Sequence, residues 1–251
     1  MLGIVANTSI INLIESSTRF LTLSEHVVLI GARGWIHEGW SGEFYPEDLP
    51  DEWQVGYYGN EFQVVMVPAS YWSTQADKFD EWLEESDESL KMICEWPAQG
   101  APVAQISEAE RGIEAVAERV LAVLIKIETE VSESDLAIYK ELADKHPLCF
   151  EIKDDLAPDK RRQLQAWLAE AFADKDYGIV WTGDPASQSN LALGSVSVTK
   201  LSGEVEPKQL RTLFESILAA GSENRNQVLI VDGEPPSMQL LTNAGIILDL
   251  L

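Results

Sequence analysis

Basic residues are scarce in this chain of 251 residues: 18 Lys and Arg stand against 42 Asp and Glu, a formal net charge of −24. Binding to a phosphate backbone depends on Lys and Arg displacing counterions, so nucleic acid is not an expected partner. The one basic cluster, Lys160-Arg161-Arg162, reads as helix surface. Cysteine is nearly absent too. Cys94 and Cys149 each lie in an apolar run, too few for a disulfide framework or a thiolate metal site, and read as reduced, buried thiols. Three histidines, His26, His37 and His146, leave little for an imidazole metal centre, and His37 alone falls in a loop near an expected active face. No apolar run reaches the ~18 residues that cross a bilayer. The first 14 residues are fairly apolar, but no basic residue precedes them and Glu15 and Arg19 follow. That makes a poor signal peptide, and a cytoplasmic location with no membrane partner is expected. The hydrophobic share of 45% is enough for a full core.

What is present is alternation. Apolar, β-branched runs at residues 26–31, 62–68, 90–96, 149–153, 178–181, 195–200 and 228–232 read as seven strands. Their continuous rather than alternating hydrophobicity suits parallel strands buried on both faces. Helix signals lie between them. Thr74 with Asp77 and Ser107 with Glu110 have the spacing of helix starts, and Pro158 and Pro207 suit a first helical turn. Leu164, Trp167, Leu168 and Phe172 form one apolar stripe, and Leu210, Leu213, Phe214 and Ile217 another. Residues 121–127 read either as an eighth strand or as the end of a long helix from Ser107: periodicity favours the helix, the repeating unit length the strand. Eight alternating units predict a single (β/α)8 TIM-type barrel over 26–251, possible irregularities included, with 1–25 as an N-terminal extension; a doubly wound open sheet is the alternative.

Residues 29–72 carry a more specific pattern. Gly31, Gly34, Trp35, Trp40, Gly42, Phe44, Tyr45, Pro46, Leu49, Tyr57, Tyr58 and Phe62 keep the frame of the opening of the YecE-like family, the domain of unknown function 72, which this chain resembles. Further on, residues 150–153 are similar to the family's Glu-Phe-Arg strand, Asp184 to an Asp after the next strand, and 198–203 to its Tyr-Val-Arg-Leu-His-Gly. The resemblance implies a TIM-type barrel with a strand at 121–127. It also exposes departures. Met66 stands for the family's Glu, Pro68 for Asn, Glu95 for Lys, Lys126 for Gln, Lys153 and Lys200 for Arg, and Ser202 for His. Met can neither accept a proton nor hold a cation, and Lys lacks the planar fork of Arg.

In such barrels working groups lie at the C-terminal strand ends and in the loops beyond. That filter nominates Arg33, Trp35, Tyr71, Trp72, Glu95, Trp96, Glu128, Glu151, Lys153, Trp181, Asp184, Lys200, Asp232 and Glu234. Glu151, Lys153, Asp184 and Lys200 are the expected catalytic set; Arg33, Trp35, Trp72, Glu95, Trp96 and Trp181 are the expected ligand contacts. Glu151 interrupts an apolar run, where a charge needs a partner, and Lys153 two residues on would share its strand face. No cofactor is expected, Mg²⁺ being the one ion that converging carboxylates would suit. With 42 acidic residues, however, several carboxylates fall at any rim by chance. The tryptophans would either stack on a planar ligand or plug the barrel top. No Gly-x-Ser-x-Gly elbow or phosphate-binding loop occurs. The departures at Met66, Pro68, Glu95 and Ser202 favour a degenerate, non-catalytic or altered barrel that binds a small-molecule ligand or partner. The alternative is a hydrolase or isomerase of an uncharged or cationic substrate, with Glu151 as base and Lys153 and Lys200 as electrostatic stabilisers.

Overall fold

Strands form where β-branched runs can be buried on both faces, and eight of them do so here. In the computed structural model, which describes residues 28–74, 78–153, 155–222 and 224–251, they are β1 (Val28–Arg33), β2 (Val64–Val67), β3 (Lys91–Glu95), β4 (Val120–Ile127), β5 (Leu148–Ile152), β6 (Tyr177–Ile179), β7 (Val196–Ser202) and β8 (Asn226–Asp232). All pairings are parallel, in the order β6-β5-β4-β3-β2-β1-β8-β7. The two end strands meet through a single bridge, Trp181 with Thr199. There the Trp181 amide donates to the Val198 carbonyl at 2.9 Å, and the Lys200 amide to the Trp181 carbonyl at 2.9 Å. The sheet thus closes into a barrel, and the open-sheet alternative falls. Residues 120–127 are a strand: the preceding helix ends at Ala115, and a short turn at Ala117–Arg119 breaks the apolar stripe.

Around the barrel run α1 (Gln54–Glu61), α2 (Ala69–Thr74), α3 (Phe79–Glu85), α4 (Val103–Ala115), α5 (Glu133–Ala143), α6 (Pro158–Ala171), α7 (Pro207–Ala220) and α8 (Met238–Asp249). Pro158 and Pro207 do open their helices. Two expected starts are corrected. Ser107 and Glu110 lie inside α4, which begins after Pro102, whose fixed φ suits the turn into a first helical residue. Thr74 closes α2 rather than opening a helix, and Asp77 lies outside the described residues. So do the expected extension 1–25 and His26; β1 begins at Val28. The connection after β6 holds no α-helix. Its place is taken by a 3-10 stretch, Pro185–Ala192, capped by the Asp184 side chain accepting from the Ala186 amide.

The core has two shells. Val64, Met66, Ile93, Leu124, Val198 and Ile230 are among those filling the barrel interior, while a larger cluster lies between strands and helices. Cys94 and Cys149 are buried free thiols, one in each shell. Loss of solvation pushes the Cys149 thiol up to about 12. The patterned residues of 31–62 are mostly structural. The fully buried Tyr58 hydroxyl accepts from the Ala32 amide at 2.7 Å and donates to the Val64 carbonyl at 2.8 Å, tying β1 to β2. Gly31 makes room for this contact, since a Cβ there would lie 1.8 Å from the Val64 oxygen. Tyr45 donates to the Trp35 carbonyl at 2.7 Å, and Trp40 to the Pro236 carbonyl at 3.0 Å, which fastens the β1 loop to the loop after β8. Phe44, Tyr57 and Phe62 fill the spaces between these rings.

Replacing Tyr58 by Phe should therefore lower unfolding stability by about 1–3 kcal/mol, the cost of stranding buried partners. Urea titration measures it; an unchanged midpoint would mean that the hydroxyl bridge contributes nothing.

Candidate active site

Alternation along parallel strands sends every second residue inward. Near the C-terminal ends, six strands place a charged residue at such a position: Arg33, Glu95, Lys126, Glu151, Lys200 and Asp232. Five of them follow, two residues on, a residue of the apolar interior, such as Leu124 before Lys126 or Ile230 before Asp232, and Arg33 follows the buried Gly31. Three are basic and three acidic, and they sort into two groups.

The first group is closed. Glu95 is 2% exposed. The Arg33 guanidinium grips it through Nε at 2.7 Å and Nη2 at 2.9 Å, Lys126 Nζ lies at 3.0 Å, and the Ala69 amide donates at 3.3 Å. Burial opposes ionisation of the Glu95 carboxyl, but the Arg33 hydrogen bonds and the two cations outweigh it and hold the carboxyl below its ordinary value. The guanidinium is held fully protonated by the same contact. Arg33 also reaches the exposed Glu234 at 3.3 Å. His37 Nε2 donates to the Arg33 carbonyl at 2.9 Å, and burial lowers the basicity of the ring. That histidine braces the loop.

The second group is open. Lys200, on β7, forms a close ion pair with Glu151 on β5 and another with Asp232 on β8 at 3.1 Å. Burial works against the ammonium, yet the two carboxylates prevail and raise its pKa. The second oxygen of Glu151 is buried and takes no hydrogen bond from the described residues. Above this trio lies a cleft of about 870 Å³. Its walls are Trp181, the start of the connection after β6 (Thr182, Gly183, Pro185, Gln188), the end of β7 (Leu201, Ser202) and the inner side of α7. The missing α-helix after β6 is what leaves this flank open.

The expected residues thus part ways. Glu151 and Lys200 meet in the cleft, but Lys153 does not join them. It lies beyond the end of β5, is half exposed and pairs with Asp155 at 3.2 Å, because the strand that would have kept it beside Glu151 stops at Ile152. Asp184 is exposed and acts as a cap, its carbonyl accepting from Trp181 Nε1 at 2.8 Å. Glu128 is exposed beside a separate hollow against α6. Trp35, Trp72 and Trp96 are buried: Trp35 packs edge-on against Tyr71 and Trp82, and Trp72 donates to the Glu95 carbonyl at 2.7 Å. Of the four expected aromatic contacts only Trp181 borders the cleft, though it too is only 2% exposed, together with the nominated Asp232. Lys126 and Ser202 were visible as departures from a family pattern, but their places beside Glu95 and in the cleft were not. Thr182, Gln188, Gln209, Thr212 and Ser216 went unforeseen, since small polar residues in loops and on helix faces carry no periodic signal.

A buried carboxylate held by two cations makes stability acid-sensitive. The folded pKa of Glu95 is depressed, so its contribution is complete above its ordinary value of 4.5 and is lost as pH falls through the lower folded value. Replacing Arg33 by Met leaves a buried charge short of its main partner and should cost about 3–5 kcal/mol. The acid-unfolding midpoint, followed by circular dichroism, should also move to higher pH; an unmoved midpoint would dissociate Glu95 from acid stability.

The model for the family described as protein of unknown function DUF72 matches residues 29–200, so it takes in β1 through Lys200 on β7. No curated protein matches the chain. Among solved structures, a chain provisionally described as a deoxyribose-phosphate aldolase from Coccidioides immitis aligns over 98% of each chain, with 13% identity and a TM-score of 0.47. That likeness says nothing of what the present chain binds or does. With well over half its length matched, this chain belongs to the DUF72 family of proteins of unknown function.

Proposed function

We propose that the protein is a small-molecule-binding barrel whose ligand occupies the cleft over β5 to β8, with Glu151, Lys200 and Asp232 as its polar floor. The observation that carries this reading is the division of the mouth. One half is sealed by the Arg33–Glu95–Lys126 contact, with buried tryptophans packed around it, and the other opens onto a charged trio beneath a cleft of about 870 Å³. That volume lies in the range of small-molecule sites, which combine apolar walls with a few convergent polar groups. Met66 and Pro68, where the family pattern carries Glu and Asn, leave the β2 side without a titratable group, in keeping with an altered barrel. Lys200 already occupies the space between the two carboxylates, so an ammonium stands where Mg²⁺ would otherwise bind. Buried free thiols and the lack, among the described residues, of a helix long and apolar enough to cross a membrane agree with a cytoplasmic location.

A second reading, hydrolase or isomerase chemistry, is favoured by one observation: the buried Glu151 oxygen that accepts nothing from the described residues. The same carboxylate borders the cleft, where a base can take a proton from a bound hydroxyl or water. Turnover of a bound metabolite that stops in Glu151→Gln while binding persists would favour this reading over binding alone.

A thermal-shift screen of neutral and charged metabolites tests the cleft. A ligand at a hundred times its Kd stabilises by about 2.7 kcal/mol, which for a chain of this size corresponds to a rise of about 5–10 °C. That rise should vanish in Lys200→Met and Glu151→Gln and survive in Lys153→Met and Asp184→Asn. A rise unaffected by the first pair would remove the trio from the site.

A further inference from the structure

The lining of the cleft narrows the class of ligand, on the assumption that the cleft is the binding site. Its charged side chains are Glu151, Asp232, Lys200 and Lys208, two of each sign. The first three are committed to one another at the floor. An anion entering there meets two carboxylates in a chain whose formal charge is already −24. A cation meets the Lys200 ammonium, which its neighbours hold in the charged state. The trio keeps a net charge of −1, but each of its charges already has an opposite partner in contact, so an incoming ion of either sign must share that partner and meets a like charge beside it.

The rest of the polar lining is uncharged. Thr182, Gln188, Ser202, Gln209, Thr212 and Ser216 offer hydroxyls and amides, all of which can both donate and accept. Some of that capacity is spent: Thr212 donates to the Lys208 carbonyl at 3.2 Å, Ser216 to the Thr212 carbonyl at 3.1 Å, and Gln209 accepts from the Glu206 amide at 3.4 Å. The hydroxyl oxygens of Thr212 and Ser216 remain acceptors, and Thr182, Gln188 and Ser202 stand exposed in the cleft. The floor carboxylates accept hydrogen bonds, and the ammonium carries three N–H donors shared between them. Groups that donate to carboxylates, accept from an ammonium and pair with hydroxyls on all sides are themselves hydroxyls. Between these polar groups lie apolar surfaces of Pro185 and Val205, which suit the C–H faces of a ring, while Trp181 and Leu213 border the cleft but are themselves almost wholly buried.

We infer that the cleft takes an uncharged, polyhydroxylated ring compound, a saccharide or a cyclitol, with adjacent hydroxyls on Glu151 and Asp232 and a hydroxyl oxygen on Lys200. The cleft has room for more than a single sugar ring. The ligand itself carries no charge, so its affinity comes from hydrogen bonds and not from ion pairing, and should change little with salt.

The test is a titration of the full chain, ¹⁵N-labelled, with glucose, maltose, cellobiose and myo-inositol, and in parallel with inorganic phosphate and choline. At least one of the four polyols should saturate shifts at the Thr182, Gly183 and Ser202 amides, while phosphate and choline leave them unmoved. Its Kd should rise tenfold or more in Asp232→Asn. Should that variant fail to fold, Ser202→Ala, at an exposed position, should raise the Kd threefold or more. Saturating shifts at these amides from phosphate or choline, with none from a polyol, would overturn the ligand class while leaving the cleft as a site. A polyol that saturates shifts only elsewhere, for instance beside Glu128 and Lys160, would overturn the cleft itself. No response to any of the four polyols would refute the class outright.

Discussion

Charges at the mouth of a barrel must be neutralised in pairs, because each stands on an apolar interior and much of its hydration is gone. Here that constraint governs six side chains from six strands. It forces Glu95 onto Arg33 and Lys126, and Lys200 onto Glu151 and Asp232. Because the partners come from different strands, each pair also fixes how those strands sit around the barrel. The Arg33 contact joins β1 to β3 across β2, where Met66 supplies only bulk.

The departures from the family pattern make sense under the same constraint. Glu95 stands where the pattern has Lys, and the neighbouring strand carries Lys126 in place of Gln. Lys126 finds its counter-charge in Glu95, which Arg33 also holds. Together Glu95 and Lys126 form one 3.0 Å ion pair between β3 and β4. The exchange of Arg for Lys at position 200 likewise leaves a compact ammonium that fits between two carboxylates, where a planar fork would need a different arrangement.

Most of the fold was legible because it follows from hydrophobic periodicity. Strand positions at β1 to β3 and β5 to β8 followed from apolar runs suited to burial on both faces. Residues 121–127 stayed ambiguous because an eight-residue strand next to a helix shares the helix's apolar spacing, and the break at Ala117–Arg119 has no Gly or Pro to mark it. The site was legible only in part. Glu151 stood out as a charge within an apolar run, but its partner was sought two residues away on the same strand. The true partner, Lys200, is 49 positions further on, and only barrel closure brings β7 beside it. The tryptophans at the strand ends were conspicuous as large rings, yet sequence spacing cannot tell a ring that faces a ligand from one that faces a helix. The cleft itself arose from something missing, an α-helix after β6, and a 3-10 stretch of ordinary polar residues has no signature by which to foresee it.

The single bridge between Trp181 and Thr199 gives the barrel a seam. Elsewhere neighbouring strands share ladders of three to seven residue pairs, but at this seam two backbone hydrogen bonds complete the circle. Ladder bonds open cooperatively, so strain and thermal motion collect where the fewest must break. The cleft is built over this gap, with Trp181 on one lip and the end of β7 on the other. A molecule lodged there would act as a clasp, and occupancy of the cleft and continuity of the barrel wall would become one equilibrium, each strengthening the other.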